Sequence, residues 1–360
     1  MSRRRRGVGL VLAATTLLAA AACTVEPGTS GPSSSTEVTI ALLLPESKTT
    51  RYESIDRPVF EQVVEERCSD CAVLYANAGQ DAARQQQQAE SALTQGADVL
   101  VLDAVDSSAA QSIVTAAADR GVAVIAYDRF IAGAPLDYFV AYDAARVGQL
   151  QGEALVAAVG PTEPGEGVLL VHGASTDPNV AGLKEGLARA LADSGLTVLA
   201  EYDTPDWSPD KAQEWVQGQL TQFSGRVVGV YAANDGTAGG AISAMRAAGL
   251  DPVPPVTGQD AELAAVQRIV AGDQHMTVYK AISQQARTAA ELAVRLSRGE
   301  TPAAVSRVEG VPSVLLAPVA VTREQVDSVI VRGGVHSTEE ICVEPYTQAC
   351  RELGLLEEES

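Results

Sequence analysis

The segment DVLVLDAVDSSAAQSIVTAAADRGVAVIAYDR, residues 98–129, decides the fold. It opens on an apolar run at 98–102, the length of a buried strand. A helical stretch follows at 107–119 and is ended by Gly121. A second apolar run at 122–127 leads into Asp128 and Arg129. Continuously apolar strands are buried on both faces, as in parallel sheets whose crossovers cover both sides. Strand, helix and strand therefore form one βαβ unit with a right-handed crossover. The charged pair falls at the carboxyl end of its second strand. In open α/β sheets ligands bind beyond those ends, where the strand order reverses.

The same alternation extends in both directions. Upstream lie a strand at 38–44, a helix at 57–67, a strand at 72–76 and a helix capped by Asp81. That last helix carries Gln85 to Gln88, which read as a solvated face. Downstream lie a strand at 138–142 and a helix at 145–159, then a turn-rich break at 161–167. A second series follows, with strands at 168–172, 197–202, 227–232 and 256–258 and helices at 179–191, 209–223, 237–248 and 262–271. A strand at 276–279, a strongly periodic helix at 281–297, a short strand at 313–316 and a helix at 323–331 complete the pattern. The two series join near Tyr142, Tyr279 and Ala317. The expected architecture is α/β, with two Rossmann-like lobes of parallel sheet joined by a three-segment hinge. The N-terminal lobe takes residues 37–142 plus 280–316, and the C-terminal lobe 143–279 plus 317–360.

The N-terminus reads differently. Arg3 to Arg6 precede an apolar run at 7–22 and then Cys23, the pattern of a secretory signal peptide. The run is too short and Ala-rich for a transmembrane helix. Ala20 to Cys23 resembles a bacterial lipoprotein cleavage box, so residues 1–23 are expected to be a lipoprotein signal with Cys23 lipidated. The alternative is ordinary secretion. Residues 24–36, rich in Pro, Gly and Ser, read as a flexible tether. The expected location is the outer face of the cell membrane, held by the lipid anchor.

The net charge is −20, and setting aside Arg3 to Arg6 leaves 22 basic against 46 acidic residues, or −24. Such a surface repels nucleic acid and anionic headgroups, so nucleic-acid binding is not expected. Four cysteines other than Cys23 form local pairs, Cys68 with Cys71 and Cys342 with Cys350. Outside the cytoplasm they read as disulfides, with nearest-neighbour pairing one of three connectivities. The Cys-x-x-Cys lies after a helix, whereas a redox motif opens one. His172, His275 and His336 are not spaced for zinc, and neither metal nor cofactor is expected.

Arg51, Asp128, Arg129, Asn179, Trp207, Asn234, Asp260 and Lys280 each follow an apolar run, so the fold gathers them at one rim. Planar carboxylate, amide and guanidinium groups each bind two adjacent hydroxyls, and charge-assisted pairs are the stronger ones. An indole covers a face of C–H bonds. Each residue also has a structural reading. Asp128 and Arg129 would pair with each other. Asn234-Asp235 would cap the next helix, the preferred reading for Asp235. Trp207 would pack on Pro205 and Pro209, and Asp260 would cap the helix at 262.

Four motifs in order, VIAYDR (124–129), ANDGTAGGAI (233–242), GQDAEL (258–263) and MTVYK (276–280), resemble the D-xylose-binding class of bacterial ABC-importer proteins. These are periplasmic binding proteins of the ribose/galactose type, and the resemblance covers residues from about 38 to 320. It implies a sugar cleft in which Arg51 and Tyr52 form the arginine–aromatic pair after the first strand. Asp128, Arg129, Asn179, Trp207, Asn234, Asp260 and Lys280 supply the remaining ligands. The expected function is a monomeric, non-enzymatic lipoprotein that delivers a monosaccharide, D-xylose, to ABC permease subunits. One alternative is an extracytoplasmic sugar sensor for a histidine kinase or chemoreceptor. Another is a secreted hydrolase using Asp128 and Asp260. The cations beside those carboxylates disfavour the raised pKa that an acid catalyst needs.

Overall fold

Strands form where the chain supplies aliphatic runs, and in the first lobe both of their faces find helices. The structure, a computed structural model, describes residues 38–356; Cys23 and the 24–36 tether lie outside them. The strands are β1 (Val38–Leu44), β2 (Cys71–Asn77), β3 (Val99–Leu102), β4 (Ala123–Tyr127), β5 (Tyr138–Tyr142), β6 (Gly167–His172), β7 (Val198–Asp203), β8 (Val227–Ala232), β9 (Met276–Tyr279), β10 (Ser306–Val308), β11 (Val311–Leu316) and β12 (Val319–Thr322). The first sheet runs β10-β11-β5-β4-β3-β1-β2. Every neighbouring pair is parallel except β10–β11. Along β1, Ile40, Leu42 and Leu44 pack with Phe60, Val63, Ala289 and Ala293, while Ala41 and Leu43 face Ala89, Leu93, Ile113 and Val114. The two-residue period sends alternate side chains to opposite layers, so a continuous apolar run suits a strand covered on both sides. The parallel part has the order 2-1-3-4-5-11, which places the switch point between β1 and β3.

The second sheet runs β7-β6-β8 in parallel. Single bridges, Val256 to Val230 and Gln259 to Val278, tie it to the antiparallel pair β9–β12. The strand expected at 256–258 is reduced to that bridge. Pro252, Pro254 and Pro255 precede it, and proline has no N–H for a ladder. The parallel α/β expectation otherwise holds. The chain passes between the sheets after Tyr142, after Tyr279 and after Leu316.

Three further expectations are corrected. Gln85 is not solvated: it is buried, donates to Asp103 O at 2.7 Å and accepts from Val105 N at 2.9 Å. It thereby satisfies the loop after β3, which has no ladder partner of its own. Residues 323–331 form a 3₁₀ turn, Arg323–Gln325, and a π-helical turn, Val326–Val331, not a regular helix. The tail adds two short helices, Thr338–Ile341 and Thr347–Glu352, which the sequence reading left out. Disulfides link Cys68 to Cys71 and Cys342 to Cys350. Ile341 and Cys350 join the apolar cluster of Val266, Ile269 and Val270, so the tail packs against the helix Leu263–Ala271. Among the described residues no helix is long and apolar enough to cross a membrane.

Candidate ligand-binding cleft

All nine proposed ligand residues line one cavity, and small-molecule sites are concave in this way. Arg51, Tyr52, Asp128 and Arg129 come from the loops after β1 and β4. Asn179, Trp207, Asn234 and Asp260 come from loops of the second sheet, and Lys280 from the crossing after β9. The cavity also takes in Thr49, Tyr142, Asp177 and Gln259, which the sequence reading missed.

The backbone works against its own preferences to present three of these side chains. Asp128 has φ 61°, Trp207 φ 51° after Asp206 at 58°, and Asp260 φ 97° before Ala261 at 53°. Non-glycine residues in this region cost about 1–3 kcal/mol and cluster at functional sites. Trp207 abuts Gly173, where a Cβ would lie 2.1 Å from Cζ2 and Cη2 of the indole. Its Nε1 is buried without a hydrogen-bond partner.

Three cations organise the floor. Arg51 forks onto Asp56 with two 2.8 Å bonds, reaches Asp128 Oδ2 at 2.9 Å and donates to Gln285 Oε1 at 3.1 Å. Arg129 Nε lies 2.9 Å from Asp177 Oδ2 and 3.3 Å from Asp103 Oδ1, and its Nη1 donates to Ala104 O at 2.9 Å. Lys280 Nζ is 2.9 Å from Asp260 Oδ1. Asp128 and Arg129 therefore do not pair with each other, because adjacent side chains after the turn diverge to separate partners. Asp260 does not cap the helix Leu263–Ala271, whose N-cap residue is Glu262 and has no side-chain capping bond. Asn234, not Asp235, caps the next helix, with Oδ1 accepting from Thr237 N at 2.9 Å. That leaves Asn234 Nδ2 as the group it can offer a ligand. Asp235 is buried instead, accepting from Glu262 N, Gln274 Nε2 and Thr277 Oγ1.

Burial alone would raise the Asp128 carboxyl, but Lys280, Arg51 and Arg129 outweigh it and bring its pKa down to about 2. Such a group is a fixed acceptor and not a proton donor. Burial would lower Lys280, yet Asp128 and Asp260 hold it above its ordinary value. Burial raises Asp103 and Asp177 despite Arg129. The cavity thus presents fixed charges of both signs and aromatic surface, suited to gripping hydroxyls.

Several bonds cross the cleft directly. Besides Arg129–Asp177, Asn179 Nδ2 donates to Asp128 O at 3.3 Å, and Ser107 N donates to Thr176 O at 3.5 Å. Thr50 N donates to Glu262 Oε1 at 3.3 Å. Burial, then Asp260, pushes Glu262 up to about 7. A carboxyl raised on folding supports stability fully below its ordinary value of 4.5, and that support is lost as pH rises through about 7. Asp128 acts oppositely, its support vanishing only as pH falls from 3.8 toward about 2. The melting temperature is therefore expected to peak in mildly acid solution and fall toward neutrality. Glu262→Gln should flatten that fall, and a flat wild-type profile would contradict the assignment.

A periplasmic binding protein domain model matches residues 40–301. The chain is 34% identical over 313 residues to the D-xylose-binding periplasmic protein of Escherichia coli, covering 85% of this chain and 93% of that protein. It is 31% identical to the multiple sugar-binding periplasmic receptor of Rhizobium radiobacter, covering 72% of this chain and 81% of that one. Among solved structures, a carbohydrate transporter solute-binding protein from Chloroflexus aurantiacus, in complex with D-glucose, superposes with a TM-score of 0.75 at 27% identity. That match covers 84% of this chain and 97% of the other.

Proposed function

The chain belongs to the periplasmic binding protein family, non-enzymatic components of solute transport, and on that premise we propose that it captures D-xylose outside the cytoplasm and passes it to an ABC permease. The observation that carries this reading is the cavity itself. Nine polar and aromatic residues from two lobes meet there, with Asp128, Asp260 and Asp177 each held ionically by a buried cation. Fixed carboxylates and guanidinium groups pair with vicinal hydroxyls, while Trp207 covers a C–H face. The 34% identity to a protein named for D-xylose supports the choice of sugar.

Calorimetry against a panel of aldopentoses and aldohexoses tests the proposal, with D-xylose expected to bind most tightly. At about 100 times the dissociation constant the sugar should add roughly 2.7 kcal/mol of stability. Trp207→Ala should weaken every sugar, since stacking reads a ring face. Asp128→Asn should change the ranking of sugars, because it turns an acceptor pair into one donor and one acceptor. No stabilisation by any monosaccharide would overturn the function.

We also propose that Cys23 is lipidated and tethers a monomeric protein to the outer face of the cell membrane. The basic start, the short apolar run and the polar spacer support this. Cys23→Ser should release the protein from membranes, and unchanged membrane association would refute the anchor.

A further inference from the structure

Tyr142 is the last residue of β5, where the chain first leaves the N-terminal sheet. It is 5% exposed and lines the cavity. Its Oη is buried and has no hydrogen-bond partner. A phenol buried only for packing is disfavoured, since phenylalanine would fill the same space without an unpaired hydroxyl. The neighbours do not relieve it. Lys280 Nζ lies 5.8 Å from the ring centroid and is held by Asp260. Arg51 is held by Asp56, Asp128 and Gln285. The other buried cavity atom lacking any such partner or ion pair is Trp207 Nε1, which can only donate. A phenol can donate and accept, which matches a sugar hydroxyl at the hinge end of the cavity.

We propose that Tyr142 is a specificity-determining residue whose hydroxyl hydrogen-bonds one hydroxyl of the bound monosaccharide. The inference rests on the sugar-binding reading above and adds a contact that the strand-end motifs do not contain. It makes one hydroxyl of the ligand worth more than its neighbours. A site built to bond a hydroxyl rejects the analogue lacking it, because its own polar group is then left unpaired.

The test is calorimetry of wild type and Tyr142→Phe with D-xylose and each of its monodeoxy analogues. Melting temperatures without sugar verify that the variant folds. The variant should bind D-xylose about tenfold to hundredfold more weakly. One monodeoxy analogue should bind both proteins equally, because it lacks the hydroxyl that Tyr142 contacts. Equal D-xylose affinity in the two proteins would overturn the proposal and leave the sugar-binding reading intact. An equal loss for D-xylose and every monodeoxy analogue would also overturn it, marking Tyr142 as structural. A wild type that binds none of these sugars overturns it together with the reading it rests on.

Discussion

Replacing Arg51 with Met is expected to lower the melting temperature by about 10 °C and to abolish stabilisation by sugar. Arg51 is 2% exposed and holds two carboxylates, Asp56 and Asp128, at 2.8 to 2.9 Å. Met fills comparable space but supplies no charge. Removing one partner of a buried ionic group costs about 3–5 kcal/mol, because the other charge stays behind. Asp56 then has only the Tyr127 hydroxyl among the partners that now surround it. A second substitution separates charge from shape: Arg51→Met with Asp56→Asn should recover part of the loss, since the coupling between contacting residues is not additive. Arg51→Lys should fall between, as an ammonium cannot fork onto a carboxylate while reaching a second one. A single variant melting within about 2 °C of wild type would show that the network is not a stability element.

Gly173→Ala is expected to cost sugar affinity by roughly tenfold to hundredfold while leaving the fold intact. The new methyl would lie 2.1 Å from the Trp207 ring, so backbone or indole must move. The turn that carries Trp207 is already in the left-handed region at Asp206 and Trp207 and has little room to adjust. The ring is displaced toward the cavity, into the volume proposed for the sugar. A double-mutant cycle gives a direct check. If the indole is the obstacle, Gly173→Ala should add almost nothing in a Trp207→Ala background. Full additivity would show that Gly173 acts on the site some other way.

The strand-and-helix order was legible because buried parallel strands are apolar throughout and the polar residue that follows them can only stand at the rim. That logic assembled Arg51 through Lys280 without any knowledge of contacts. It also explains the omissions. Tyr142 is itself the end of an apolar run and reads as core. Asp56 and Gln285 sit in helical segments behind Arg51, and nothing local announces that a charge waits opposite. Asp103 and Asp177 become meaningful only once Arg129 lies against them. The left-handed turns at Asp128, Trp207 and Asp260 carry no glycine to signal them. Gln85 looked solvated because a run of four glutamines hides which one faces inward.

The bonds that span the cleft, Arg129 to Asp177, Asn179 to Asp128, Thr50 to Glu262 and Ser107 to Thr176, involve no atom of any cargo. In a protein that opens and shuts, they favour shutting equally for every sugar. Each additional kcal/mol from them multiplies all affinities by about fivefold and leaves the ratio between two sugars untouched. It also enlarges the share of cargo-free molecules that offer a permease the shut face. Discrimination therefore has to come from the cavity's own hydroxyl contacts. The strength of the clasp sets a different quantity: how many idle dockings the transporter suffers for each sugar delivered.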